Sequence, residues 1–457
     1  MAYLPVFCQG LPELANGFLN SKSRTNADSA YYFVQRLEVF PETLEDLIHD
    51  DFAQIFIPPQ KNTTIDSTRK KMLAARLAFG NEMLHRMYNS SSPLIRKIIS
   101  PVWYWVNISA NKNGTEINHL AKEFIATIKD GVNIYKNRMG RYMLLVHQII
   151  SEKDNCKEES RFLFDYVYDS LHARLTRKTI SDPAQANRYE LGERAWTRYL
   201  YAYCNYLKAT VHVNNSNIKK AADYFRLASD YSPDLTDQNS RSYYFYDAFF
   251  LWRENKESFQ DDYYYFLVAN DYKKKDILKV LLDMAMADPG KRKMLELYYN
   301  QAFKRVANFE DFWDTNLKKR LKKAPEIRME LLGGGYFLSL TDSLSDKWIL
   351  LDFWGTWCLP CREEHPRLQK FYDEVIKAKG NKIELLTIAC KDEKGKVEEY
   401  MKQLQYSFPV AMSDNEIENS LHVTGYPSKY LITPSRRIII IPFGIDWAKF
   451  IKQVCGL

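Results

Sequence analysis

At 457 residues the chain exceeds what one hydrophobic core usually serves, so two or more domains are expected. Its 64 basic and 57 acidic side chains leave a net charge of +7 spread along the chain. The densest cluster, Lys318-Lys319-Arg320 with Lys322 and Lys323, has no interleaved aromatics and reads as a solvated helix end, so no nucleic-acid partner is expected. No stretch reaches the roughly 18 to 20 consecutive apolar residues of a membrane-spanning helix, and no membrane span is expected either.

Residues 1–40 are set apart as an N-terminal segment. Met1 to Gly10 has no basic lead and too short an apolar run for a complete signal peptide, yet Cys8 and Gly10 put small residues at the two positions a signal peptidase reads. Residues 1–10 therefore fit a signal-peptide remnant and an ordinary disordered terminus alike. Residues 41–321 form a second segment, dominated by helical periodicity and rich in aromatics, as in Trp196 to Tyr203 and Tyr243 to Trp252. Breaks at Pro58-Pro59, Asn89 to Pro93, Asn111 to Gly114, Ser181 to Pro183, Ser232-Pro233 and Asp288 to Gly290 cut it into helices of ordinary length. Ala221, Phe225, Ala228 and Pro233 match the second helix of a tetratricopeptide repeat, with no second copy of comparable quality, so a repeat-like stack and a plain amphipathic helix both stand.

At Ala324-Pro325 the pattern changes, opening a third segment over 322–457. Glu326 to Leu331, a Gly333-Gly334-Gly335 turn and Tyr336 to Leu340 read as a hairpin, and Trp348 to Trp354 as a fully buried strand. A helix starting at Cys358 follows, then a strand at 383–389, a helix at 394–404 and a strand at 408–412. A helix at 416–421, strands at 429–432 and 437–441 and a closing helix from Asp446 complete the alternation. The fold class that follows is multidomain: a mostly α-helical array first, then an α/β unit with a mixed central sheet flanked by helices.

Cys358 and Cys361 sit where the buried strand turns into a helix, the layout of a dithiol-disulfide redox site. The partial positive charge and unpaired amides of a helix N-terminus favour the thiolate, so Cys358 is the expected nucleophile. Cys361, one turn later, is placed to resolve a mixed disulfide on Cys358. Cys156, Cys204, Cys390 and Cys455 are scattered and read as inert core thiols. Haem attachment would want a histidine where Arg362 stands, zinc would want more ligands than Cys358, Cys361 and His365, and a peroxidase would need a different motif. No metal and no dissociable cofactor are expected, the Cys358–Cys361 couple itself being the redox group. His365 reads as a surface helix residue. Asp352 lies among apolar neighbours, where desolvation should raise its pKa and let it move protons for Cys361; the plain alternative is a carboxylate neutralised by a lysine.

Ala324-Pro325, Asp352-Phe353-Trp354-Gly355-Thr356-Trp357-Cys358-Leu359-Pro360-Cys361, Glu364, Pro366 and Val423-Thr424-Gly425-Tyr426-Pro427 together resemble the thioredoxin superfamily. Within it they are similar to the TlpA/ResA-type thiol-disulfide oxidoreductases of the bacterial cell envelope. The resemblance covers about residues 322–457 and implies a thioredoxin-like fold, a periplasmic or cell-envelope location, disulfide-containing protein substrates and an upstream thiol electron donor. It assigns proton handling to Asp352 and thiol tuning to Glu364, makes Pro366 a helix kink and Pro427 a cis-proline facing the dithiol, and places substrate contacts at Trp357, Tyr426 and Pro427. Ser428 and Lys429 stand where the family commonly has threonines, a departure that bears on substrate preference. The reading is a protein-disulfide reductase; its competitor from another class is a partner-binding helical scaffold with an accessory redox domain.

Overall fold

The computed structural model describes residues 10–59, 66–128, 132–176, 186–234, 237, 246–253, 256–303, 308–338, 346–378, 382–423, 425–441 and 445–457. It divides into two compact units, Met1–Ser232 with Tyr244–Phe259, and Pro233–Tyr243 with Gln260–Leu457. The signal-peptide reading at residues 1–10 falls, but for Gly10, outside the described residues, as does the break at Ser181 to Pro183.

The first unit is helical among the described residues, and its helices begin at Leu11, ahead of the point near residue 40 where the sequence pattern was read to start. Leu14 and Phe18 of helix Leu11–Ser23 and Ala30, Val34 and Leu37 of helix Ala27–Leu37 recur at helical spacing and bury against the same core, with Pro12 in the first turn where its missing N–H costs nothing. Breaks at Asn89 to Pro93 and Asn111 to Gly114 separate helices Ser67–Tyr88, Pro93–Ala110 and Gly114–Thr127, with Ser92 and Asn113 as side-chain caps. Helices Arg188–Asn214 and Ile218–Asp230 form a hairpin that buries Ala221, Phe225 and Ala228. The aromatic richness serves packing: Tyr142, Tyr199, Tyr203, Phe52 and Phe124 are among the largest wholly buried side chains.

The second unit holds a five-stranded sheet, β3 (Trp348–Trp354), β4 (Ile383–Ala389), β5 (Val410–Met412), β6 (Ser428–Ile432) and β7 (Ile438–Ile441), in spatial order β5-β4-β3-β6-β7. β3 and β4 run parallel, as do β4 and β5, while β6 is antiparallel to both β3 and β7. The hairpin β1 (Arg328–Glu330) and β2 (Tyr336–Leu338) turns through Gly334 and Gly335, both at positive φ; the expected strand positions Ser339 and Leu340 lie outside the described residues. Every side chain of the central strand β3 is buried, as its unbroken apolar run requires. Ile349, Leu351 and Phe353 join Leu386, Ile388, Tyr430 and Ile432 in one core. The alternate positions Leu350, Asp352 and Trp354 face the other side, where the indole of Trp354 meets His365 of helix Leu359–Phe371 at 4.4 Å between ring centroids.

Candidate active site

The chain leaves β3 through Gly355, and only glycine fits: a Cβ there would lie 2.4 Å from the Trp357 indole nitrogen and 3.1 Å from the Cys390 carbonyl. The Trp357 indole donates to that carbonyl at 3.1 Å, and Thr356 is tied through its amide and hydroxyl to Asp392. This braced turn delivers Cys358 to the N-cap of helix Leu359–Phe371, which has Pro360 in its first turn and Pro366 inside it. Cys358 and Cys361 are joined in a disulfide with Cα atoms 5.3 Å apart. The backbone amide of Cys361 donates to Cys358 Sγ at 3.3 Å, so the helix terminus directs an unpaired donor at one sulfur of the pair. Cys358 is 4% and Cys361 1% exposed, while Trp357 and Leu359 beside them stand out into solvent.

A second wall comes from the segment before β6. The Tyr426–Pro427 peptide bond is cis, and the Tyr426 ring packs edge-on against Trp357 with centroids 5.3 Å apart. The Tyr426 hydroxyl donates to the buried carboxylate of Glu418, which also accepts from Ser413. Trp357, Tyr426 and the disulfide therefore share one region, with Pro427 next in the chain. Val423 and Gly425 are described; Thr424 is not.

A cluster of charge joins β3 and β6 to the helix that carries the dithiol. Strand register sets Asp352 of β3 opposite Lys429 of β6. The Lys429 ammonium is 3.0 Å from Asp352 Oδ1 and 2.6 Å from Glu364 Oε2, on the helix face that also carries Cys361 one turn earlier. Burial raises the pKa of the Asp352 carboxyl, with Lys429 opposing and Glu364 adding to the rise. Burial works against the Lys429 ammonium, but Asp352 and Glu364 outweigh it and raise its pKa. The lysine pairing named as the plain alternative for Asp352 is present, and the carboxyl keeps a raised pKa beside it.

Two expectations are corrected. Lys429 does not vary a substrate surface; its side chain is 6% exposed and turned inward to the two acids. His365 is not a surface residue but is 1% exposed, caged by Trp354, Tyr400, Tyr406 and Phe408, with Nδ1 2.9 Å from the Tyr400 hydroxyl. Burial first, then the charges of Lys429 and Arg362, push its pKa down to about 3, so it is neutral. Sequence reasoning did not pair Lys429 with Asp352 and Glu364, and it gave Glu418 no part in the site. The apolar strand around Lys429 was a signal for the first, because a lysine inside a buried strand needs a carboxylate; nothing local marked the second. Cys156, Cys204, Cys390 and Cys455 are unpaired and buried, and burial pushes the Cys390 thiol up to about 12, which leaves it inert. Among the described residues no group of three or more His, Cys, Asp or Glu side chains is arranged to hold a metal ion, and no helix is long and apolar enough to cross a membrane.

A family model described as thioredoxin-like matches residues 346–438. The thiol-disulfide oxidoreductase ResA of Bacillus subtilis is 31% identical over 135 residues, a match that covers 29% of this chain and 73% of that protein. The thioredoxin-like protein YneN of the same organism is 32% identical over 136 residues, covering 30% and 78%. Among solved structures, a thiol:disulfide interchange protein of the thioredoxin family from Chlorobium tepidum is 27% identical, with 30% of this chain and 98% of that one covered and a TM-score of 0.26.

Proposed function

Through its C-terminal third the chain belongs to the ResA-type thiol-disulfide oxidoreductases of the thioredoxin superfamily, and on that premise we propose that it reduces protein disulfides in the bacterial cell envelope through Cys358 and Cys361. The observation that carries the division of labour is the Cys361 amide aimed at Cys358 Sγ from a helix N-terminus. That donor and the helix dipole stabilise a thiolate on Cys358, which attacks a substrate disulfide. Cys361 then attacks Cys358 Sγ in the mixed disulfide, releasing the reduced substrate and restoring the Cys358–Cys361 bond. Asp352, buried beside the helix with a raised pKa, takes the Cys361 proton.

Substrate enters as an extended segment along the Tyr426 backbone ahead of the cis bond, by strand addition, with exposed Trp357 and Leu359 as apolar flanks. With Leu359 and Pro360 between the cysteines there is no histidine to stabilise a thiolate further, which favours a reductant over a strong oxidant. An upstream thiol donor returns the pair to the dithiol, so electrons pass through the cysteines with no dissociable cofactor. The envelope location rests on the TlpA/ResA-type motif set.

The test uses full-length reduced protein and insulin. Cys361→Ser should accumulate a mixed disulfide with insulin that survives non-reducing electrophoresis, and Cys358→Ser should form none and lose turnover. Turnover retained in Cys358→Ser would contradict the assignment.

A further inference from the structure

Lys429 is met by groups from several elements. Asp352 of β3 lies 3.0 Å from its ammonium and Glu364 of helix Leu359–Phe371 lies 2.6 Å away. The same helix brings neutral His365, helix Trp447–Cys455 brings the Trp447 ring at 5.3 Å, and β4 sets uncharged Thr387 beside Asp352. Arg362 lies over the Tyr400 ring. The charged groups facing Asp352 are thus Lys429 and Glu364. Their side chains are graded in exposure: 2% for Asp352, 6% for Lys429 and 35% for Glu364. Asp352 Oδ1, wholly buried, meets the ammonium at 3.0 Å and has no other hydrogen-bond partner among the described residues, so its second lone-pair direction stays open for a proton. A lysine suits this place because its ammonium can give a proton on one side as it takes one on the other, which a guanidinium does not do.

We propose that Lys429 is a positioning residue for the resolving step, coupling buried Asp352 to solvent-reaching Glu364 so that the proton from Cys361 leaves the interior. It rests on the dithiol exchange proposed above. In that step the Cys361 S–H bond breaks and Asp352 takes the proton. The electron pair left on Cys361 Sγ forms the bond to Cys358 Sγ. The bond from Cys358 Sγ to the substrate sulfur breaks, and that sulfur departs as a thiolate, which takes a proton from water. Two electrons pass from the dithiol to the substrate disulfide. Lys429 then receives the proton from Asp352 while giving one to Glu364, and Glu364 releases it to solvent.

The experiment loads the full-length reduced protein with glutathione disulfide and follows release of the second glutathione, the resolving step, against pH. Lys429→Met removes the cation that favours ionised Asp352, so the midpoint of the profile should rise by about one pH unit and the rate at neutral pH fall about tenfold. Glu364→Gln removes a neighbouring negative charge, so the midpoint should move the other way. Lys429→Arg keeps the charge and should hold the midpoint while still losing about tenfold in rate, because its proton is not given up. Glu364→Gln alters a half-exposed side chain and keeps the test alive if the lysine variants misfold. Midpoints that stay put, or move in the same direction in Lys429→Met and Glu364→Gln, would overturn the coupling, and a wild-type rate in Lys429→Arg would overturn the relay. An unaltered protein that releases no second glutathione would overturn the dithiol reading as well.

Discussion

Each unit of the chain sets a buried cation against two carboxylates, and the two settings differ in how firmly the carboxylates are held. In the helical unit Arg141 donates through Nε to Asp247 at 2.8 Å, through Nη2 to Asp50 at 2.9 Å and through Nη1 to the His49 carbonyl at 2.7 Å, while Trp196 donates to the second oxygen of Asp247 at 2.6 Å. In the redox unit Lys429 holds Asp352 and Glu364, and the buried Asp352 Oδ1 has no partner besides that ammonium among the described residues. Arg138 also pairs with Asp50 at 2.9 Å, so the helical cluster has a second cation, whereas Lys429 is the one cation paired with Asp352 and Glu364 among the described residues. A guanidinium fork saturates its partners and keeps its proton; an ammonium leaves room and can pass one on. On the relay proposed above, the first arrangement serves as glue and the second passes a proton.

The contrast breaks most sharply in stability. Arg141→Met strands Asp247, 1% exposed, inside the helical unit, while Asp50 keeps Arg138; the change should cost about 3–5 kcal/mol in denaturant unfolding, with the potential of the Cys358–Cys361 couple unchanged in protein that remains folded. Lys429→Met should cost less, because Asp352, its pKa already raised by burial, takes a proton and lies neutral. Equal losses from the two variants would erase the distinction between glue and relay.

Acid sharpens the comparison at smaller amplitude. His49 in the helical unit is held neutral by burial and by Arg141 and Arg138, and His365 in the redox unit by burial and by Lys429 and Arg362, with a pKa of about 3. Both gain a proton on unfolding below their ordinary value near 6.5, so each contributes stability that is full above that pH and is lost as the pH falls. Each should add a slope that is about half of 1.4 kcal/mol per pH unit at 6.5 and approaches the full value about one unit lower. Amide hydrogen exchange reads the two units separately, and His365→Phe should flatten the slope in the sheet unit alone. A slope unchanged by that substitution would show that His365 is protonated in the fold.

Local pattern carried much of this into view. The apolar run Trp348 to Trp354, the cysteine spacing and the alternation after Ala324 specify β3, the helix it feeds and the sheet that follows, because each signal lies within a few residues of the element it makes. What stayed hidden depends on register and packing between distant segments. Lys429 meets Asp352 only because β6 pairs antiparallel with β3 in one register, and a shift of one residue would turn the lysine to the opposite face. His365 is buried because Tyr400, Tyr406 and Phe408, more than thirty residues on, close over a helix face that the pattern left polar. The helix Leu11–Ser23 was missed because its apolar stripe, Leu14 and Phe18 with Ser21 between turns, is short and interrupted.

The equilibrium reduction potential of the Cys358–Cys361 couple, measured on the full-length protein in dithiothreitol or glutathione buffers, tests the central claim most directly. A reversible two-electron couple near the thioredoxin value of about −270 mV is the expected result. A couple near the strongly oxidising value of about −120 mV, or no reversible couple at all, would contradict a disulfide reductase.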